Sequence, residues 1–282
     1  MLGRDVEPIA NKPLGIIDLL DGSFAALRQR ARVLVIIVAG LAVPSSLLQG
    51  WVTRNDLGGA SFGELLSDPA LAEEASSPTA AYDAEFFLSQ ILLMFVTAVT
   101  GVGVAWVINA WFEGRDPGAL DALRFTLRRA GAIIVAFVVI HLLQLLGMIL
   151  LLIPGLVLVV LSSLTSPVLA IEGLGPIASM RRSWELTRRR AGPVVIVLML
   201  LFLVQLGLSQ AITTLPSTAA LFVGLDRAWP LVSLSTMVTQ LIFLPVNAAA
   251  MALLYLDIRF RTEGLDLRRR MFLDLPPVEG TP

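Results

Sequence analysis

Residues 176–194 read PIASMRRSWELTRRRAGPV, and this stretch decides how the rest of the chain is arranged. Met180, Trp184 and Thr187 recur at helical spacing, with Ala191 one turn further on, while Arg181, Arg182, Glu185, Arg188 and Arg189 fill the other face. An apolar stripe with a basic face and an interfacial tryptophan describes a helix lying in the headgroup region of a bilayer. Pro176 suits the first helical position, where its missing N–H is of no consequence. Residues 194–215, VVIVLMLLFLVQLGLSQAITTL, follow as about 22 residues without a charge, long enough to span a membrane. The stretch is therefore a surface helix feeding a membrane span, and weaker copies of it precede two other apolar runs.

The composition agrees. Of 282 residues, 56% are hydrophobic and 15% charged, and the mean hydropathy is +0.81. Soluble domains average roughly 45–50% apolar and 25% charged. The absence of cysteine excludes a disulfide framework and a thiolate metal site.

Working outward, the pattern predicts an all-α integral membrane protein. Six transmembrane helices form three hairpins, each preceded by a cytoplasmic amphipathic helix. Residues 1–32 are an N-terminal cytoplasmic segment in which 13–30 form an amphipathic helix, with Ile17, Leu20, Phe24 and Leu27 on one side. Residues 33–258 form the membrane domain, with spans at about 33–52, 86–111, 131–152, 156–172, 193–214 and 231–255. Residues 259–282 are a basic tail. An outer loop at 53–84 sets Asp56, Glu64, Asp68, Glu73, Glu74 and Asp83 against the single Arg54, and a second outer loop covers 215–230. Asp116 and Pro117 read as the cap and first residue of a second amphipathic helix reaching Arg129. The apolar run 131–171 is too long for one span, and Pro154-Gly155 reads as its turn. Gly101, Gly103 and Ala105 suit close helix packing. The GVG at 101–103 is not a nucleotide loop, since no strand precedes it and no lysine follows.

With the N-terminus inside, every one of the 21 basic residues except Arg54 and Arg227 is cytoplasmic, as the positive-inside rule requires. Trp51 and Trp229 then mark the outer interface, Trp111 and Trp184 the inner one. The expected location is the cell membrane, with both termini cytoplasmic.

The amphipathic helices align without gaps. Ser23-Phe24, Arg28, Arg30 and Ala31 fall 160 residues before Ser183-Trp184, Arg188, Arg190 and Ala191. Arg128, Arg129, Ala130 and Gly131 fall 61 residues before Arg189 to Gly192, and Glu113-Gly114, Glu172-Gly173 and Glu263-Gly264 recur at the ends of the return spans. The unit reads as amphipathic helix, span, return span and Glu-Gly, used three times. Inner loops that are basic for topological reasons alone would give a similar pattern.

Residues 166–192, SPVLAIEGLGPIASMRRSWELTRRRAG, and residues 253–267, LLYLDIRFRTEGLDL, carry a resemblance to a known family. Through Pro167, Glu172, Arg182, Ser183, Trp184 and Leu186, then Asp257, Arg259, Glu263 and Gly264, the chain resembles the membrane domain that precedes some bacterial glycerophosphodiester phosphodiesterases. It equally resembles that domain's stand-alone relatives. The phosphodiesterase barrel itself, with its His and Glu residues, is missing, so the resemblance implies a membrane fold without an established activity.

Two sets of residues could carry chemistry. His141, the only histidine, lies in the third span near Gln144, and an intramembrane ionisable group is a functional candidate. The alternative is a neutral ring hydrogen-bonded to a neighbouring helix, with Gln90, Gln205 or Gln240 as partner. Glu172, Arg181, Arg182, Asp257, Arg259 and Glu263 form a candidate charge cluster at the inner interface. It either closes a vestibule or holds a phosphate headgroup, or it is an ion pair locking hairpin to surface helix. No span holds a central Asp, Glu, Lys or Arg beside His141, so neither catalysis nor a metal or other cofactor is expected. The expected partners are anionic lipid headgroups at the cytoplasmic face and a membrane or cytoplasmic protein, not nucleic acid. The leading expectation is a non-enzymatic scaffold or accessory factor of a membrane process. A lipid or small-solute transporter is the alternative, suggested by the repeat and by Gln90, Gln144, Gln205, Gln210 and Gln240.

Overall fold

The computed structural model describes residues 14–54, 61–75 and 84–264. The start of the N-terminal segment, Asp56 and Asp83 of the acidic loop, and the tail beyond Gly264 lie outside them. Eleven helices run in order among the described residues, and no strand: α1 (Ile16–Val52), α2 (Phe62–Ser67), α3 (Pro69–Ala75), α4 (Ala84–Phe112), α5 (Ala119–Arg128), α6 (Ala130–Leu150), α7 (Leu152–Ser162), α8 (Thr165–Ile171), α9 (Pro176–Arg189), α10 (Ala191–Val223) and α11 (Leu225–Glu263). Six helical segments are long and apolar enough to cross a membrane, the fourth being α7 with α8. The chain is an all-α, multi-pass membrane protein.

α11 is the hub. It packs on α1, α10 and α4, and α1 touches it more extensively than it touches α4. Ala248, Ala249, Ala250 and Ala252 are buried on α11, and such small side chains let neighbouring backbones approach where lipid removes the hydrophobic drive between helices. α6 and α10 are the opposite case: Leu145, Leu146, Ile149, Met199, Phe202 and Leu203 stand exposed, a surface suited to lipid tails and unsuited to water.

At each of three junctions a single arginine leaves helical geometry. α1 runs without a gap from the predicted amphipathic segment into the first span, but Arg30 leaves helical geometry at φ −128°, ψ 30°. Arg129, at φ −96°, ψ 1°, separates α5 from α6, and Arg190, at φ −141°, ψ 42°, separates α9 from α10. An alanine follows each one. Just past the ends of α4, α8 and α11, Gly114, Gly173 and Gly264 all take left-handed φ values of 78°, 67° and 61°, which glycine adopts without a Cβ clash and which ends a helix. Arg30 reaches past the first Glu-Gly to Asp116 at 2.7 and 2.9 Å, and Arg129 donates at the second to the carbonyls of Gly173 and Leu174 at 2.8 and 3.3 Å.

Several expectations need correction. On α9 the buried face is Ser179, Met180, Ser183, Leu186 and Thr187, while Trp184 is only half-buried. In α1 the buried face is Leu19, Ser23 and Ala26, and the predicted Ile17 and Phe24 are exposed. Small side chains win these places because the surface helices lie close against the spans; Ser183 Oγ donates to the Leu161 carbonyl at 2.7 Å. α5 begins at Ala119, with the Gly118 N–H held by Asp121 at 3.1 Å, because Asp116 is taken by Arg30.

The turn expected at Pro154-Gly155 sits instead at the single extended residue Leu151. Pro154 falls in the first turn of α7, where no N–H is required, and Gly155 lets α7 close onto Gly147. The fourth span is broken between Ser162 and Thr165, since the Pro167 ring cannot bond the Ser163 carbonyl one turn back. The loop expected at 215–230 is helical: α10 continues to Val223, and Gly224 alone, at φ 98°, turns the chain into α11. The acidic loop contains α2, whose start is closed by reciprocal bonds between Ser61 and Glu64.

Candidate functional site

The predicted charge cluster divides in two. On one side, α8, α9 and α11 bring Glu172, Arg182, Arg259 and Glu263 together, all mostly buried. Arg182 Nε donates to both Glu172 oxygens at 3.0 and 3.2 Å, and its Nη2 reaches Glu263. Arg259 Nε donates to Glu263 Oε2 at 2.9 Å. Tyr255, fully buried and missed by the sequence reading, ties the two halves: its hydroxyl donates to Glu172 Oε1 at 2.8 Å and accepts from Arg259 Nη1 at 3.0 Å. Its spacing was a signal, since 255, 259 and 263 form one stripe of a helix.

Asp257 lies about 200° around α11 from Arg259 and belongs elsewhere. It accepts from the Leu14 N–H at 2.8 Å and from Arg261 at 2.9 Å, while Arg261 also donates to the Leu14 carbonyl at 2.7 Å. It fastens the start of α1 to the end of α11. Arg181 is outside both groups, exposed and 3.4 Å from Glu185.

Two arginines and two glutamates in mutual contact carry no net charge, and both carboxylates are engaged. Burial works against the charge on Arg182, but its hydrogen bonds to Glu263 and Glu172, with their charges, outweigh it and hold its pKa above the ordinary arginine value. The cluster locks helix ends together.

Room for a ligand lies deeper, between the spans. A cavity of about 350 Å³ is bounded by α4, α6, α7, α8, α10 and α11, and its wall includes His141, Gln144, Ser162 and Thr165. His141 does not meet Gln90, Gln205 or Gln240. Its Nδ1 bonds the Phe137 carbonyl at 2.8 Å and its ring lies 4.2 Å from the Phe137 ring. A carbonyl can only accept, so Nδ1 carries the proton and a neutral ring keeps Nε2 as an acceptor. Gln144 Nε2 donates to Ser162 Oγ at 3.0 Å, tying α6 to α7.

The second cavity, of about 540 Å³, lies between α1, α4, α10 and α11, in the half of the bundle away from the charge cluster. Gln49, Gln205 and Gln240 line it; Gln90 and Gln210 do not, and Gln49 was not singled out in the sequence. Thr97, Leu198 and Asn247 border both cavities, so the two meet near the middle of the bundle. Asn247, on α11, is part of this common wall.

The sequence matches no protein-family model, no curated protein and no solved structure. The likeness to the phosphodiesterase membrane domain therefore rests on the residues quoted for it.

Proposed function

We propose that this protein is a non-enzymatic carrier of a lipid or small solute, with its ligand held between the spans. The observation behind it is the pair of cavities meeting at Thr97, Leu198 and Asn247, walled by uncharged polar side chains at membrane depth. Polar groups there are unfavourable against lipid, and glutamines and hydroxyls facing a cavity are suited to a passing ligand. The recurrence of a non-helical arginine at Arg30, Arg129 and Arg190, and the left-handed glycines of the three Glu-Gly ends, support a threefold repeat of hairpin and surface helix. We place both termini in the cytoplasm of a cell membrane on the distribution of basic residues, with the exposed Arg28, Arg181, Arg188 and Arg189 against anionic headgroups.

The test is flux. Proteoliposomes containing the protein should move a fluorescent lipid or a tracer solute saturably, and Thr97→Val with Asn247→Leu should lower the rate about tenfold. No saturable flux in the wild type, or flux unchanged by both substitutions, would overturn the reading. One observation favours the scaffold alternative: the self-neutralised cluster leaves Arg181, Arg188 and Arg189 pointing away from the bundle, as a protein-docking face would. A stoichiometric partner lost on their replacement would support that alternative.

A further inference from the structure

We propose that the 540 Å³ cavity binds an uncharged, hydroxyl-bearing ligand: a sugar or polyol, free or as the head of a neutral lipid. The proposal rests on the carrier reading and assigns the ligand class. Three features carry it. The wall holds Gln49, Gln205, Gln240, Ser209, Thr213 and Thr236, and among the described residues that line it there is no charged side chain. An anion or cation placed there would lose its hydration with no counter-charge to replace it, whereas neutral oxygens would find donors and acceptors on α1, α10 and α11. The volume lies within the range of about 300–1,000 Å³ common for small-molecule sites.

The third feature is Gln240. Its side chain is 7% exposed, yet Nε2 has no hydrogen-bond partner. Its Oε1 faces Ser45 Oγ at 3.4 Å, and the single Ser45 proton is shared with the Ala42 carbonyl at 3.0 Å. Turning the amide over would let the N–H₂ donate to Ser45 and leave the carbonyl open instead. Either way one polar end of a buried amide, on a residue that lines the cavity, is unsatisfied, a rare condition in folded proteins. Nε2 is closed off in the empty protein, and a turn of the side chain toward the cavity would let a hydroxyl, which both donates and accepts, complete Gln240 in either orientation.

The experiment uses the full chain in phosphatidylcholine nanodiscs, probed with glucose, monoglucosyl diacylglycerol and, as charged control, phosphatidylglycerol, with native mass spectrometry and thermal shift as readouts. Glucose or the glucolipid should be retained and should raise Tm, and phosphatidylglycerol should not displace it. Retention of glucose identifies a free solute as the source; retention of the glucolipid alone identifies a lipid. Gln240→Leu should weaken binding roughly tenfold while raising the Tm of the empty protein, since it removes an unsatisfied amide. Gln205→Leu gives an independent loss should Gln240→Leu fail to fold. Full competition by phosphatidylglycerol, wild-type affinity in both variants, or no retention of either neutral probe would overturn the proposal. Ionic flux without neutral binding would refute the ligand class and leave the carrier reading standing. Neutral binding without flux would do the reverse.

Discussion

Arg182 is the centre of the charge cluster, and removing it leaves the carboxylates of Glu172 and Glu263 facing each other with Arg259 alone between them. Truncating one member of a buried pair costs about 3–5 kcal/mol when the other charge is left unpaired. These side chains keep 15–22% of their surface, so Arg182→Ala should cost less, about 2–3 kcal/mol. Tyr255→Phe, which loses only a hydroxyl linking Glu172 to Arg259, should cost about 1 kcal/mol. Thermal unfolding in mild detergent reads both, and an Arg182→Ala protein as stable as the wild type would mean that the cluster is not a lock. At this scale the sequence grouped Glu172, Arg182, Arg259 and Glu263 among its candidates because charges near the ends of apolar runs must be paired or wet, and the structure brings these four into contact. The sequence could not separate Asp257 from Arg259 by proximity, since two residues along a helix point to nearly opposite sides.

At the scale of elements, the contact between α1 and α11 depends on Gly50. A Cβ there would stand 1.7 Å from Ser233 Oγ and 3.2 Å from the Trp229 carbonyl. Rotating Ser233 relieves the first contact and leaves the second, so Gly50→Ala should push the helices apart at a cost of about 1–3 kcal/mol. Part of that loss should return in Gly50→Ala with Ser233→Ala. Unfolding of the two variants checks this, and equal Tm values for Gly50→Ala and wild type would refute it. Element boundaries were legible where a local rule decides them. Pro176 at the start of α9 and the Glu-Gly ends are such cases. They were misplaced at Leu151 and Gly224, where prolines that suggest turns are accommodated inside helices.

For the whole molecule the sharpest prediction concerns orientation. The chain has no cysteine, so single replacements are clean reporters. Ser67→Cys, exposed at the end of α2, should react with a membrane-impermeant thiol reagent in intact cells. Arg188→Cys, exposed on α9, should react only after permeabilisation. The opposite pattern would invert the protein and place its basic end outside.

The sequence by itself determined that the chain holds six segments long and apolar enough to cross a membrane, because span length and helix-ending glycines are local properties of the chain. It could not rank the spans. α6 is the most apolar of the six and among the least buried, while α11 is the least apolar and the most buried. In water the most hydrophobic helix goes inside; in lipid every span can be apolar outward, and burial follows from which faces pack closely. Only the tertiary structure could therefore make α11 the hub, set Ser183 and Ser23 against the bundle, and bring Gln49 of α1 to the same cavity as Gln205 and Gln240 of α10 and α11.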